Sequence, residues 1–292
     1  MLYDIRLVLS YSYASTALNA RNLLRVMPAQ RPGVQRLIAG ALTAEPAPTL
    51  RRDRHDFFGN DVTELDFHLP VTAQRFELTA RVERQAAPTE FDLSTRLADL
   101  PARLREAASL DPDAPWHFLA PSPSVPRVAE IEAYARAQAG GANTVLEAVA
   151  ALGSAIHRDL RFDATATEVD TPVSQAFAKR HGVCQDFSHI MIGGLRGLGV
   201  PAGYVSGYLR TLPPEGQPRL DGADAMHAWV RAWCGPQTGW VEHDPTNNVM
   251  VGADHIVVAV GRDYTDCAPL RGSIRASGDQ ISRQEVDVIR AE

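Results

Sequence analysis

The sequence GVCQDFSH at residues 182–189 carries a cysteine, Cys184, at the beginning of a helical pattern. Downstream, the block MHAW contains His227 and the block HDPT contains Asp244. A thiol is a strong nucleophile only as the thiolate, so it needs a base within hydrogen-bond reach, and that base needs a carboxylate or amide that fixes its tautomer. The order Cys184, His227, Asp244 predicts a catalytic triad.

The residues that follow Cys184 have the spacing of an α-helix. Apolar side chains recur at helical intervals from Phe187 to Leu198. Gly199 and Pro201 then end the pattern. Cys184 is therefore predicted in or just before the first turn, where the helix dipole stabilises a thiolate. Unpaired backbone N–H groups at the same terminus can also receive the oxyanion of an acyl-transfer intermediate.

The segment that carries His227 alternates as a β-strand does, with apolar residues on one face that we expect to pack inward. The sequence GPQTG at residues 235–239 has the composition of a tight connection, and an extended pattern resumes at residues 240–244 until Pro245 stops it. This predicts a hairpin that holds the imidazole and the Asp244 carboxylate side by side, with the Cys184 helix packed against it.

Eight sequence blocks lie along nearly the whole chain: GVCQDF (182–187), GYVSGY (203–208), HAWV (227–230), HDPTN (243–247), YDI (3–5), DFFGN (56–60), VAVGRDY (258–264) and APLRG (268–272). Together they resemble the transglutaminase-like superfamily of papain-related cysteine enzymes, in its bacterial branch with an N-terminal domain. The resemblance implies that Cys184, His227 and Asp244 are the catalytic triad. Cys267 and Ser188 depart from the residues that are usual in the family at these positions, and neither belongs to the triad.

The fold that we expect is α+β. It has a papain/transglutaminase-like core, in which the nucleophile helix packs on an antiparallel sheet, and an N-terminal β-sandwich-like domain over residues 1–85. A Pro-rich connector with short helices is predicted at 86–140, and the catalytic domain at 141–292, beginning with a helix capped by Thr144 and Glu147. Residues 281–289 suggest a last strand, and residues 210–224 suggest a loop that borders the cleft.

Four further residues are candidates for supporting roles. Gln175 precedes the nucleophile as an oxyanion-hole glutamine does in some cysteine proteases, although the spacing is only suggestive. Gln185, Asp186 and Trp229 neighbour the triad in sequence and are expected to support it; Asp186 would pin the helix start or a nearby loop. The second oxyanion donor stays unassigned.

No metal or cofactor is predicted. His181, Cys184 and His189 cluster in sequence, but the chain lacks the paired C-x₂₋₄-C, H-x₃₋₅-H or H-E-x-x-H ligands of zinc sites. No acidic loop of EF-hand type indicates calcium. His189 and His243 are expected to be packing residues near the cleft, and Cys234 and Cys267 to be small buried hydrophobic residues.

Composition indicates an intracellular enzyme. The 292 residues carry a formal net charge of −6 with a pI near 5.9, and there is no basic run, so a nucleic-acid partner is not expected. The N-terminus lacks the pattern of a secretory signal, and no stretch is apolar enough for a membrane span. An odd number of cysteines makes no disulfide framework, and a reducing cytoplasm is the expected location. The oligomeric state is not indicated.

The expected chemistry is acyl transfer on an amide or peptide bond through a thioester. Transfer to water makes the chain a cysteine protease or amidase acting on a protein or peptide, which we favour. Transfer to an amine makes it a protein-glutamine transglutaminase that cross-links. A non-catalytic peptide-binding scaffold is a third possibility. An arylamine-type acetyltransferase fits less well, because KRHGVC at 179–184 stands in place of the expected Arg-Gly-Gly-x-Cys block.

Overall fold

The computed structural model describes residues 1–85, 91–211 and 224–291. The strands are β1 (Leu2–Leu24), β2 (Gln35–Glu45), β3 (Leu50–His55), β4 (Asp61–Phe67), β5 (Val71–Arg84), β6 (Arg161–Phe162), β7 (His181–Gly182), β8 (Ala202–Leu209), β9 (Ala225–Trp233), β10 (Trp240–Asp244), β11 (Val249–Met250), β12 (His255–Gly261), β13 (Leu270–Arg275) and β14 (Gln280–Ala291). The α-helices are α1 (Leu100–Glu106), α2 (Ala129–Ala139), α3 (Val145–Asp159), α4 (Val173–Lys179), α5 (Cys184–Gly197) and α6 (Tyr264–Cys267). Two 3₁₀-helices cover Leu97–Asp99 and Pro115–Phe118.

The N-terminal sheet is built around β1, which is long enough to serve two sets of partners. Its first half pairs antiparallel with β5 and β14, and its second half pairs with β4 and β13. The pairing with β5 shifts register between Ser12 and Ala17, where β1 passes from one set of partners to the other. Alternate side chains of β1, among them Tyr3, Ile5 and Leu7, are buried, as the sequence alternation predicts for a half-buried strand.

The last two strands pair with the N-terminal sheet, although their residues fall in the range predicted for the catalytic domain. Both β13 and β14 pair with β1 in that sheet. Val286 and Val288 are buried there, and the pairing covers an edge of β1 that would otherwise expose unpaired N–H and C=O groups. Helix α2, inside the range 86–140 predicted as a connector with short helices, packs against α5.

The second sheet positions the candidate site. Its strands lie in the order β11-β10-β9-β8-β12, and α5 packs against β9 and β8. The predicted hairpin is formed by β9 and β10, with Trp233 opposite Trp240 and Val230 opposite His243. Gly235 and Gly239 in the connection both adopt positive φ, a conformation that glycine tolerates at no steric cost. The fold is therefore the expected α+β arrangement of a nucleophile helix on an antiparallel sheet.

Both faces of β9 are buried from Ala228 onward, whereas the sequence pattern predicts that only the small apolar face packs inward. On the opposite face Arg231 is fully buried and lies over the Trp240 ring, 3.8 Å from its centroid. The Arg231 guanidinium is also ion-paired with Asp113 of the connector. Connector residues that lie far away in sequence cover this face, so the strand pattern alone could not reveal its burial.

The N-terminal sheet docks directly onto the second sheet. Gln35 donates to Val257 O and accepts from Val257 N, both at 2.8 Å, so its side chain extends the hydrogen bonding of β12. Ala29 N donates to the same Val257 carbonyl at 2.9 Å, and Tyr208 Oη donates to Val26 O at 2.6 Å. These buried polar contacts fix the register between the two parts of the chain.

Helix α3 begins with the predicted capping box, in which Thr144 Oγ1 accepts from Glu147 N at 3.1 Å. The apolar face of this helix packs into the core below α5. Among the described residues, no helix is both long enough and apolar enough to cross a membrane.

We predict that Gly153→Ala in α3 lowers the free energy of unfolding by about 1–3 kcal/mol, the usual cost of overpacking. A Cβ at Gly153 would overlap the ring of His243, which neighbours Asp244 on β10. Gly193→Ala in α5 is the matched control, since its Cβ would lie 3.5 Å from Val125 Cγ1 in ordinary contact. That variant should gain about 0.5–1 kcal/mol from helix propensity. Urea unfolding measures both, and a Gly153→Ala protein as stable as wild type would contradict the prediction.

Candidate active site

Cys184 is the first residue of α5, as the sequence predicts, and it is half-buried. Asp186 fixes this helix start, because its Oδ2 accepts hydrogen bonds from Val183 N at 2.9 Å and Thr167 Oγ1 at 2.6 Å. These contacts hold the helix start and the loop that carries Thr167, and the sequence predicts that Asp186 pins one or the other. The carboxylate also places a negative charge near the helix N-terminus, where it is favourable.

His227 lies between Cys184 and Asp244. Its Nε2 is hydrogen-bonded to Asp244 Oδ2 at 2.8 Å, and the Cys184 thiol lies close enough to the ring to interact with it. Burial alone would lower the pKa of His227, but the hydrogen bonds and charges of Asp244 and Cys184 raise it to about 10. The site thus brings a thiol, an imidazole and a carboxylate into interaction with one another.

The Asp244 carboxylate is completely buried and accepts hydrogen bonds on both oxygens. Oδ2 accepts from the side chains of His227, His255 at 3.1 Å and Asn247 at 2.7 Å. Oδ1 accepts from the backbone N–H groups of Thr246 at 2.9 Å and Asn247 at 3.2 Å. Burial would raise the pKa of Asp244, yet the bonds from His227 and His255 hold it far below its usual range. Asp244 is therefore held as the carboxylate.

Trp229 forms the wall behind the imidazole. It is fully buried, and its ring centroid lies 6.3 Å from that of His227 and 5.2 Å from that of His255. Its Nε1 donates to Glu242 Oε2 at 2.8 Å, and Glu242 Oε1 accepts from Arg31 Nη1 at 2.5 Å. Burial would raise the pKa of Glu242, but Arg31 lowers it to about 2. Arg31, which precedes β2 in the N-terminal sheet, is thereby linked through Glu242 to the tryptophan behind the site.

Gln175 is not brought to the triad. It is an exposed residue of α4, and among the described residues its side chain makes no hydrogen bond to Cys184, His227 or Asp244. The prediction of an oxyanion role for Gln175 therefore finds no support in the geometry. Gln175 is near the nucleophile in sequence but does not contact it, because α4 presents this side chain to solvent.

Backbone N–H groups are the better oxyanion donors. The N–H groups of Asp186 and Phe187 bond to Val183 O, while those of Cys184 and Gln185 have no hydrogen-bond partner among the described residues. The Gln185 side chain donates to Val169 O at 2.9 Å, which ties the loop before α4 to the helix start.

The other two cysteines are buried, as predicted. Cys234 has its pKa raised to about 12 by burial, and burial also raises the pKa of Cys267 well above its ordinary value. Both groups stay protonated thiols at neutral pH. Cys184 is distinguished from them by its exposure and its histidine partner.

His227, Asp244 and His255 are the described residues that come closest to a metal site, since their ligand atoms lie within 4.8 Å of one another. The donor set nevertheless fits hydrogen bonding better. Asp244 Oδ2 already accepts three hydrogen bonds, and His255 Nδ1 is buried without a partner among the described residues. Ligation through His255 Nε2 would leave a buried Nδ1–H unsatisfied, at a cost of about 1–3 kcal/mol. The proton of His255 therefore sits on Nε2 and is donated to Asp244.

A cavity of about 620 Å³ lies beside the nucleophile helix. It is lined by Gln185 and His189 of α5, by the loop around Val169, and by Tyr264 and Leu270. His189 Nε2 accepts from Tyr264 N at 3.2 Å, and burial lowers its pKa to about 4, so this histidine is a neutral packing residue as predicted. Most of the loop predicted to border the cleft, residues 212–223, lies outside the described residues.

Comparisons with known proteins cover nearly the whole chain. The transglutaminase-like superfamily matches residues 132–245, and the bacterial transglutaminase-like N-terminal region matches residues 3–83. An uncharacterised protein of Mycobacterium tuberculosis is 34% identical over 303 residues, covering 97% of this chain and 88% of its own length. An uncharacterised protein of Mycobacterium leprae is 30% identical over 275 residues, covering 92% of this chain and 91% of its own.

The fold also has a solved counterpart. The crystal structure of a Cytophaga hutchinsonii protein, described as a candidate cysteine protease, superposes with a TM-score of 0.75 at 21% identity. The match covers 100% of this chain and 92% of that one. The two family matches, together with a relative that is 34% identical over nearly the whole chain, confirm the resemblance drawn from the motif blocks: the chain belongs to the transglutaminase-like superfamily, in its bacterial form with an N-terminal region of its own.

Proposed function

We propose that this protein is a cysteine hydrolase that cleaves amide or peptide bonds in a protein or peptide substrate. One observation carries the proposal. The Cys184 thiol, at the N-terminus of α5, interacts with His227 and helps to raise its pKa, and His227 is hydrogen-bonded in turn to the buried Asp244. Each part of this line has a defined role in acyl transfer, and the family comparison supports a cysteine-dependent enzyme.

In the first half-reaction the Cys184 thiolate attacks the carbonyl carbon of the amide, and a C–S bond forms. The oxygen becomes an oxyanion that the backbone N–H groups of Cys184 and Gln185 can receive. The His227 imidazolium gives its proton to the amide nitrogen, the C–N bond breaks, and the amine leaves. The product is a thioester on Cys184, with His227 neutral.

In the second half-reaction neutral His227 takes a proton from water, and the hydroxide attacks the thioester carbon. The C–S bond breaks, the carboxylic acid leaves, and the thiolate and imidazolium pair is restored. Asp244 stabilises the imidazolium and holds its orientation throughout, without taking the proton.

The acceptor separates hydrolysis from cross-linking. Hydrolysis needs only water at the thioester. Solvent reaches the neighbourhood of the imidazole, because the exposed Asn247 lies next to it, with its Nδ2 3.5 Å from His227 Nε2. Cross-linking needs a bound amine that outcompetes water. The membership of the transglutaminase-like superfamily keeps cross-linking as the second candidate, since both outcomes share the thioester.

A product analysis decides between the two. We would incubate the protein with casein peptides in heavy-oxygen water, with and without a primary amine, and use Cys184→Ala as the control. Hydrolysis predicts heavy oxygen in new carboxyl groups even when the amine is present. Amine adducts as the main product would replace hydrolysis by cross-linking. Equal peptide binding by wild type and control without any covalent product would favour the binding scaffold.

A further inference from the structure

We propose that His255 is a positioning residue for the Asp244 carboxylate, and that the N-terminal sheet holds it in place through Arg84. The inference rests on the proposed function, because it concerns the group that orients His227. His255 opens β12, outside the three stretches that carry the predicted triad.

The hydrogen bond from His255 is a buried one. His255 is 5% exposed and Asp244 is fully buried, and their contact at 3.1 Å has no access to bulk water. Asn247 also donates to Asp244 Oδ2, but Asn247 is an exposed residue, so water competes for its bond. Besides His227, His255 is thus the shielded side-chain donor to this carboxylate among the described residues. A buried carboxylate depends on such donors, since it has lost its hydration.

The direction of this hydrogen bond follows from the other ring nitrogen. Because Nδ1 of His255 is buried without a partner, the neutral ring carries its proton on Nε2 and donates it to Asp244. The donated bond leaves the carboxylate negative and fixes its rotation about the side chain. Asp244 can then present the same oxygen to His227, which it stabilises as the imidazolium.

The N-terminal sheet fixes the backbone that carries His255. Arg84, buried at the end of β5, donates from Nε to His255 O at 2.9 Å and from Nη1 to Val34 O at 3.1 Å. Two residues further along β12, Val257 is held on both sides by Gln35. His255 is therefore the one residue between these contacts of the N-terminal sheet and the Asp244 carboxylate. Through it, that sheet has a role in the arrangement of the site.

The charged and titratable groups that face this carboxylate come from four elements. They are His227 on β9, Cys184 on α5 beyond it, His255 on β12, and His243 adjacent on β10. Burial lowers the pKa of His243 to about 4, so it stays neutral near pH 6 and adds no charge beside the carboxylate.

The test compares His255→Leu, His255→Asn and His255→Gln by the rate of Cys184 alkylation with iodoacetamide at about pH 6, where only an activated thiol reacts fast. Glutamine places an N–H donor close to the position of Nε2, whereas asparagine is too short and leucine has none. We expect His255→Leu and His255→Asn to slow alkylation about tenfold, the change that one pKa unit represents. His255→Gln should stay within about threefold of wild type. Urea unfolding checks that each variant is folded.

Arg84→Met tests the role of the N-terminal sheet, with Arg81→Met as the matched control. Arg81 lies on the same strand, but it is exposed and pairs with Asp4. We expect Arg84→Met to slow Cys184 alkylation in the same direction as His255→Leu, and Arg81→Met to leave the rate unchanged.

Two results would overturn the inference. One is a folded His255→Asn or His255→Leu protein that alkylates at the wild-type rate. The other is a His255→Gln protein as slow as His255→Asn, because a purely structural role would not be rescued by a donor. A wild-type Cys184 that reacts no faster than an ordinary thiol is a different outcome, since it removes the proposed function on which the positioning role depends.

Discussion

Replacing Cys184 with alanine is expected to abolish amide turnover, with a fall in kcat/KM on the order of 10⁴-fold or more. The thioester cannot form without the sulfur, while the fold should persist because the side chain is only half-buried. The measurement is peptide hydrolysis followed by mass spectrometry, with Cys234→Ala as the control. Cys234 is buried and its thiol stays protonated, so that variant should keep its turnover. Substantial hydrolysis by Cys184→Ala would show that another group is the nucleophile.

Replacing His227 with alanine is expected to cost nearly as much, and the double variant Cys184→Ala/His227→Ala should be no worse than either single one. Residues that act as a unit in catalysis are strongly non-additive, because removing one disables the other. The measurement is kcat/KM for the two single variants and the double. His55→Ala is the control, since His55 lies exposed on β3 and pairs with Asp61.

Asp244→Asn offers an internal comparison for this second prediction. An amide can still orient an imidazole, as in cysteine proteases that use asparagine in this place. We therefore expect a smaller loss for Asp244→Asn than for His227→Ala. If the losses of the two single variants simply multiplied in the Cys184→Ala/His227→Ala protein, the two groups would not act together and the triad would be wrong.

Local sequence was sufficient to predict the elements that carry the triad. The helix start at Cys184 depends on residues that are neighbours in sequence, and α5 begins there. The hairpin of β9 and β10 depends on a short glycine-bearing turn, and its strands pair as expected. Both signals act over a few residues, where propensity and turn chemistry dominate.

What sequence could not provide depends on contacts between distant parts of the chain. His255 reaches Asp244 only because β12 lies at the edge of the second sheet next to β8, and the chain order does not reveal this. The pairing of β14 with β1 brings residues 280–291 to the N-terminal sheet, and the chain order does not reveal this pairing either. Gln175 shows the converse. It is near the nucleophile in sequence, yet it lies on the exposed face of α4.

The most direct test of the account is the pH dependence of cysteine alkylation in the wild-type protein, with each cysteine followed by peptide mapping. The account predicts that Cys184 reacts rapidly with iodoacetamide below about pH 7, where an ordinary thiol of pKa about 8.5 is slow. Cys234 and Cys267 serve as references within the same chain, since burial raises the pKa of both. A Cys184 that gains reactivity only in step with an ordinary thiol would contradict the activated nucleophile on which the proposed function rests.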